Sequence, residues 1–138
     1  MIYLTRRERF NAAHKLFNSK WSEEQNEIIF GKCANKNWHG HNYHLFVTVK
    51  GKSNPDTGFV MNVKDLSTLI NKYIIDKLDH KNLNLDVDFL TNILPSTENL
   101  AIAIWQELLP HFSDIKGVNL HCVKLYETES IYVEYFGE

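Results

Sequence analysis

Trp38-His39-Gly40-His41 is the segment with the clearest chemistry. In an extended chain, residues two apart point the same way, so His39 and His41 can present two imidazoles to one ion. Gly40 between them removes side-chain bulk. His14 offers a third imidazole if the strand ending there pairs with the strand beginning at His39. Three histidines leave the fourth position of a tetrahedral ion open, which is the arrangement of catalytic zinc. Neutral imidazoles leave that ion its full charge for polarising a hydroxyl or carbonyl oxygen. The same H-x-H spacing also suits surface histidines that only hydrogen-bond. His44, His111 and His121 read in that second way: His44 on the strand face opposite Leu45, and His111 in the last turn of a helix, where a cation suits the dipole.

Three further groups can move protons or grip a ligand. Cys33 stands six positions before His39, in the polar stretch Lys32-Cys33-Ala34-Asn35-Lys36-Asn37. Near a metal ion its thiol pKa would fall, and the thiolate can act as base or nucleophile; as a buried thiol it would only fill space. Cys122, in an apolar strand, reads as a core residue. Asp79 and His80 follow a helix, and a carboxylate can hold an imidazole in one tautomer. They can equally close that helix, with His80 at its negative end. Glu127 ends an apolar strand, where it can accept two parallel hydrogen bonds from a guanidine-like edge or simply be solvated.

The elements that must position these groups follow from periodicity. Tyr3 to His14 reads as a strand, and Lys15 to Lys32 as a long polar connection of the length that is usually functional or mobile. Asn42 to Gly51 is a strand with Leu45, Val47 and Val49 on one face. Turn chemistry over Lys52 to Gly58 predicts a hairpin returning through Phe59 to Met61. Val63 to Leu78 carries an apolar helical stripe with Asn62 as N-cap. Asp79 to Pro95 reads as loop. Thr97 to Phe112 is a second helix capped by Ser96, with Pro110 making its end irregular. Val118 to Glu127 and Ser130 to Tyr135 complete the strands. The order β-β-α-α-β-β predicts an α+β fold: a four-stranded antiparallel sheet with two helices on one face. Val123 and Leu125 alternate with Leu120 and Cys122, which places apolar groups on both sheet faces and calls for oligomerisation to cover the second.

The chain has 138 residues, 43% apolar and 23% charged, which suits one globular domain over 1–138. Fifteen Lys and Arg against seventeen Asp and Glu leave a net charge of −2, so no bulk positive field attracts nucleic acid or an anionic membrane. No apolar run reaches the ~18 residues of a membrane span. The charged segment Arg6 to Arg9 lacks the apolar block of a signal peptide. The expected setting is the cytoplasm, with both cysteines reduced.

Taken together, the motifs resemble the 6-pyruvoyl-tetrahydropterin synthase family, which includes the 6-carboxytetrahydropterin synthases of queuosine biosynthesis. The likeness runs along essentially the whole chain. It rests on Phe10-Asn11-Ala12-Ala13-His14, on Cys33 through His39-Gly40-His41-Asn42-Tyr43, and on Asp56-Thr57-Gly58-Phe59-Val60-Met61. It continues through Leu78-Asp79-His80-Lys81-Asn82-Leu83-Asn84, Ser96-Thr97-Glu98-Asn99 and Tyr126-Glu127-Thr128.

The resemblance implies a tunnelling fold whose subunits form a trimeric barrel, two trimers stacking into a homo-hexamer with active sites between subunits. It implies that His14, His39 and His41 hold Zn2+ and that Cys33 is the proton-abstracting base. Asp79 and His80 become its relay partners, Glu127 the anchor of the pterin ring, and Thr97 and Glu98 part of the pterin pocket. The implied reaction converts 7,8-dihydroneopterin triphosphate to 6-pyruvoyl-tetrahydropterin with loss of triphosphate. The six-residue spacing from Cys33 to His39 favours this branch over the carboxy-forming one, which releases acetaldehyde and commonly has a spacing of four. Trp38, where a small residue is expected, and Asn11, in place of Ser, depart from the pattern. A third reading is a non-catalytic pterin- or zinc-binding oligomer.

Overall fold

Two long strands carry the architecture. β1 (Ile2–His14) and β2 (His39–Gly51) pair antiparallel along their whole length, from Ile2 opposite Gly51 to His14 opposite His39. The computed structural model describes residues 1–138. β4 (Val118–Tyr126) pairs antiparallel with β2, and β5 (Tyr132–Tyr135) with β4. β3, only Lys81–Asn82, lies parallel to β1 beside Ala12 and Ala13. The sheet is therefore five-stranded and mixed, in the order β3-β1-β2-β4-β5, rather than four-stranded and antiparallel. A two-residue strand is too short for alternation to reveal it.

One face of this sheet is apolar. Tyr43, Leu45, Val47 and Val49 of β2 are fully buried there. α2 (Val63–Ile70) and α3 (Thr97–Leu108) supply the other half of a single core through Leu66, Ile70, Leu100, Ile104 and Leu108. Asn62 caps α2 by accepting from the Lys64 N–H, and Ser96 caps α3 by accepting from the Asn99 N–H. The helix expected over Val63 to Leu78 contains a π turn at Asn71–Ile75 before a last α-helical turn, Asp76–Leu78. Both Ile74 and Ile75 are buried, adjacent positions that a regular helix points about 100° apart. α3 gives way to a 3-10 turn at Leu109–Phe112, around Pro110.

The remaining differences from the sequence reading have local causes. The connection Lys15 to Lys32 contains α1 (Glu23–Phe30), which lacks an apolar stripe; its one buried residue is Asn26. The Asn26 side chain accepts from the Asn18 N–H and donates to the carbonyls of Asn18 and Ser22, so α1 is held by polar bonds. Phe59 to Met61 is not a strand. The loop closes on itself, with the Asn54 side chain accepting from the Asp56 N–H and the Asn54 N–H donating to the Phe59 carbonyl. In β4, Cys122 lies opposite Thr48 but Leu120 opposite Val49, so His121 is a bulge residue. The bulge turns Leu120 back to the core side with Val123 and Leu125. The second apolar face inferred from simple alternation reduces on this strand to Cys122.

Gly51 sits where β2 meets the start of β4. A Cβ there would lie 2.7 Å from the Gly117 carbonyl oxygen and 3.0 Å from Val60 Cγ1. Gly51→Ala is expected to destabilise the chain by about 1–3 kcal/mol, seen as a lower urea midpoint at unchanged slope. An unchanged midpoint would contradict this packing.

Candidate functional site

The β1–β2 register decides what meets at the end of the core. Phe10, Ala12 and His14 on β1 lie opposite Tyr43, His41 and His39 on β2, all on the helix-covered face. The apolar ladder thus ends in three imidazoles. Their ring centroids are 4.6 to 5.0 Å apart, and the rings are steeply tilted to one another. One ring nitrogen from each lies within 4.8 Å of the others.

His14 is 1% exposed, and its Nδ1 lies 2.8 Å from the carbonyl oxygen of Pro95. A carbonyl only accepts, so Nδ1 carries the proton and the Nε2 lone pair faces the cluster. Burial first, and then the charge of His39, lower the His14 pKa, while the Pro95 bond opposes them. Burial and His41 lower that of His39. These rings are therefore neutral near pH 7. His14 Nε2, both nitrogens of His39 and His41 Nε2 are buried without a hydrogen-bond partner. Buried nitrogen lone pairs without donors are what a cation would satisfy.

Glu127, one residue beyond β4, adds a carboxylate to the same cluster. Oε1 lies 3.6 Å from His41 Nε2, and Oε2 lies 4.0 Å from His14 Nε2. The Thr97 hydroxyl, from the first turn of α3, donates to Oε2. A carboxylate facing the Nε2 lone pair of neutral His14 is repulsive unless positive charge lies between them. The donor set therefore fits a divalent metal ion, with nitrogen ligands and the near carboxylate both favouring it.

Asp79 and His80 meet each other at the surface of the chain. His80 takes a left-handed φ of +60°, and its Nδ1 comes 2.9 Å from Asp79 Oδ2. The Asn11 N–H donates to Asp79 Oδ1 at 2.9 Å, and the His80 N–H donates to the Asn11 carbonyl at 2.7 Å. Asn11 first, and then His80, hold the Asp79 carboxyl below its ordinary pKa. Cys33 lies in a 3-10 turn, Gly31–Ala34, half-buried, with its carbonyl accepting from the Leu16 N–H. Its thiol makes no hydrogen bond to Asp79 or His80 within the chain. Glu98 is exposed in the first turn of α3 and makes no ion pair.

Trp38, the departure beside the histidines, has a φ of +68°, in the region that favours glycine. Lys15 Nζ lies 5.4 Å from its ring centroid. Two contributors were invisible in the sequence: the Pro95 carbonyl, a backbone group 81 positions from His14, and the unpartnered hydroxyl of Tyr43.

The family model described as 6-pyruvoyl tetrahydropterin synthase matches residues 3–138. A 6-pyruvoyl tetrahydrobiopterin synthase of Dictyostelium discoideum is 46% identical over 137 residues, covering 99% of this chain and 97% of that one. The structure of the Caenorhabditis elegans 6-pyruvoyl tetrahydropterin synthase aligns with a TM-score of 0.90 at 34% identity, covering 99% of this chain and 96% of that one. A 6-carboxy-5,6,7,8-tetrahydropterin synthase of Rickettsia typhi is more distant, 28% identical over 150 residues, covering 97% of this chain and 99% of that one.

Depressed histidine pKa values make a prediction for the metal-free protein. As pH falls through 6.5, the ordinary value, the unfolded chain gains protons that folded His14 and His39 resist. Unfolding free energy should therefore decline between pH 8 and pH 5.5, above the range where Asp79 and Glu8 titrate. Urea midpoints across that window test this; a flat or rising profile would contradict it.

Proposed function

We propose that this chain, which belongs to the 6-pyruvoyl tetrahydropterin synthase family, is a zinc-dependent lyase. Its substrate is 7,8-dihydroneopterin triphosphate, and its products are 6-pyruvoyl-tetrahydropterin and triphosphate. The observation that carries the reading is the convergence of His14, His39 and His41 with Glu127 at the closed end of the core. The higher identity to a pyruvoyl-forming relative than to a carboxy-forming one supports the choice of product.

In this reading His14, His39 and His41 hold Zn2+, which when bound acidifies the hydroxyl-bearing side-chain carbon of the substrate. Glu127 accepts two hydrogen bonds from the guanidine-like edge of the pterin ring. Thr97 keeps that carboxylate in one orientation through its hydroxyl. Cys33, as thiolate, takes the proton from the side-chain carbon. Asp79 orients His80, and the pair relays the proton, serving the Cys33 of a neighbouring subunit. This division is consistent with the absence of a hydrogen bond between the pair and the Cys33 thiol within one chain. Triphosphate departs with the electron pair of its C–O bond, and the ring is reduced as the side chain is oxidised, so no external oxidant or reductant enters. Assembly is into a hexamer of two trimeric barrels, each subunit one domain spanning residues 1–138.

Incubation of the zinc-loaded protein with 7,8-dihydroneopterin triphosphate tests the reading by product mass. A 6-pyruvoyl product with triphosphate release is expected. A 6-carboxy product with acetaldehyde would move the chain to the other branch, and pterin binding without turnover would make the site a pocket only. Cys33→Ala should lower kcat by about a hundredfold or more, and Glu127→Ala should raise KM.

A further inference from the structure

The buried side-chain polar atoms without partners form a single group. Four are nitrogens of His14, His39 and His41, and the fifth is the hydroxyl of Tyr43. Tyr43 is fully buried and shares a face of β2 with His39 and His41. Its ring stacks on Phe10, 4.8 Å away and 11° from parallel, which fixes it in place. Its centroid lies 5.6 Å from that of His41 and 6.3 Å from that of His14. A phenol carries its proton at neutral pH and can donate it in a hydrogen bond.

A buried hydroxyl is ordinarily paired. The imidazoles offer lone pairs to a cation, and the phenol is the one hydroxyl among the five atoms. The ligand complementary to this set is an electron-rich oxygen brought next to that cation. Resting on the function proposed above, we propose that the Tyr43 hydroxyl donates a hydrogen bond to a side-chain oxygen of the pterin substrate. Phe10 stacking and full burial hold the donor ready before substrate arrives, so little ordering is needed on binding. Tyr43 thereby distinguishes pterins with an oxygenated side chain from the bare ring.

The test compares wild-type and Tyr43→Phe proteins, both zinc-loaded, with two probes: 7,8-dihydroneopterin and 7,8-dihydropterin, which lacks the side chain. Fluorescence titration gives Kd for each. Tyr43→Phe is expected to weaken dihydroneopterin binding about tenfold and to leave dihydropterin binding unchanged. Zinc content and Tm should not fall, because the hydroxyl has no partner to lose. Unchanged Kd for both probes, or equal weakening of both, would overturn the assignment. So would a variant that fails to fold or to hold zinc, since the hydroxyl would then have a structural partner. Wild-type protein that binds neither probe would instead overturn the pterin reading on which this rests.

Discussion

The His14 Nδ1–H bond to the Pro95 carbonyl fixes one proton, and the rest of the site depends on it. It turns the Nε2 lone pair toward His39, His41 and Glu127. Burial disfavours the charged forms of His14 and His39, so proton uptake by these two rings does not satisfy their unpartnered nitrogens near pH 7. A cation is the partner with the right charge, and three imidazoles are the right ligands for one. The approaches of Glu127 to His41 and His14 are 3.6 and 4.0 Å. They are the outline of a site shaped around positive charge.

The fold delivers those groups by register more than by loops. Full-length pairing of β1 with β2 places His14 opposite His39, and the pleat places His41 on the same face. β4 runs antiparallel beside β2 and ends so that Glu127 follows Leu125 on the core side. The Ser96 cap starts α3 where Thr97 reaches Glu127 and Pro95 reaches His14. Three strands and one helix start thus constrain a site drawn from positions 14 to 127.

The histidine triad was legible in the sequence because strand alternation is a fixed geometric rule, and Glu127 because a lone acid ends an apolar strand. The β4 bulge was not: one inserted residue leaves the composition alone but flips Leu120 to the core side. α1 was hidden because its single buried residue is a polar Asn26 rather than an apolar stripe. Adjacency in sequence left the Asp79–His80 contact open; the left-handed backbone of His80 closes it. No residue type signals a carbonyl such as that of Pro95, which acts only through the fold.

X-ray absorption at the zinc edge, on protein loaded to one zinc per chain, tests the metal assignment most directly. The site described here predicts three imidazole nitrogens and one further light atom at about 2.0–2.1 Å, without sulfur. A sulfur scatterer at about 2.3 Å, or fewer than three imidazoles, would contradict it, because Cys33 or another group would then be holding the ion.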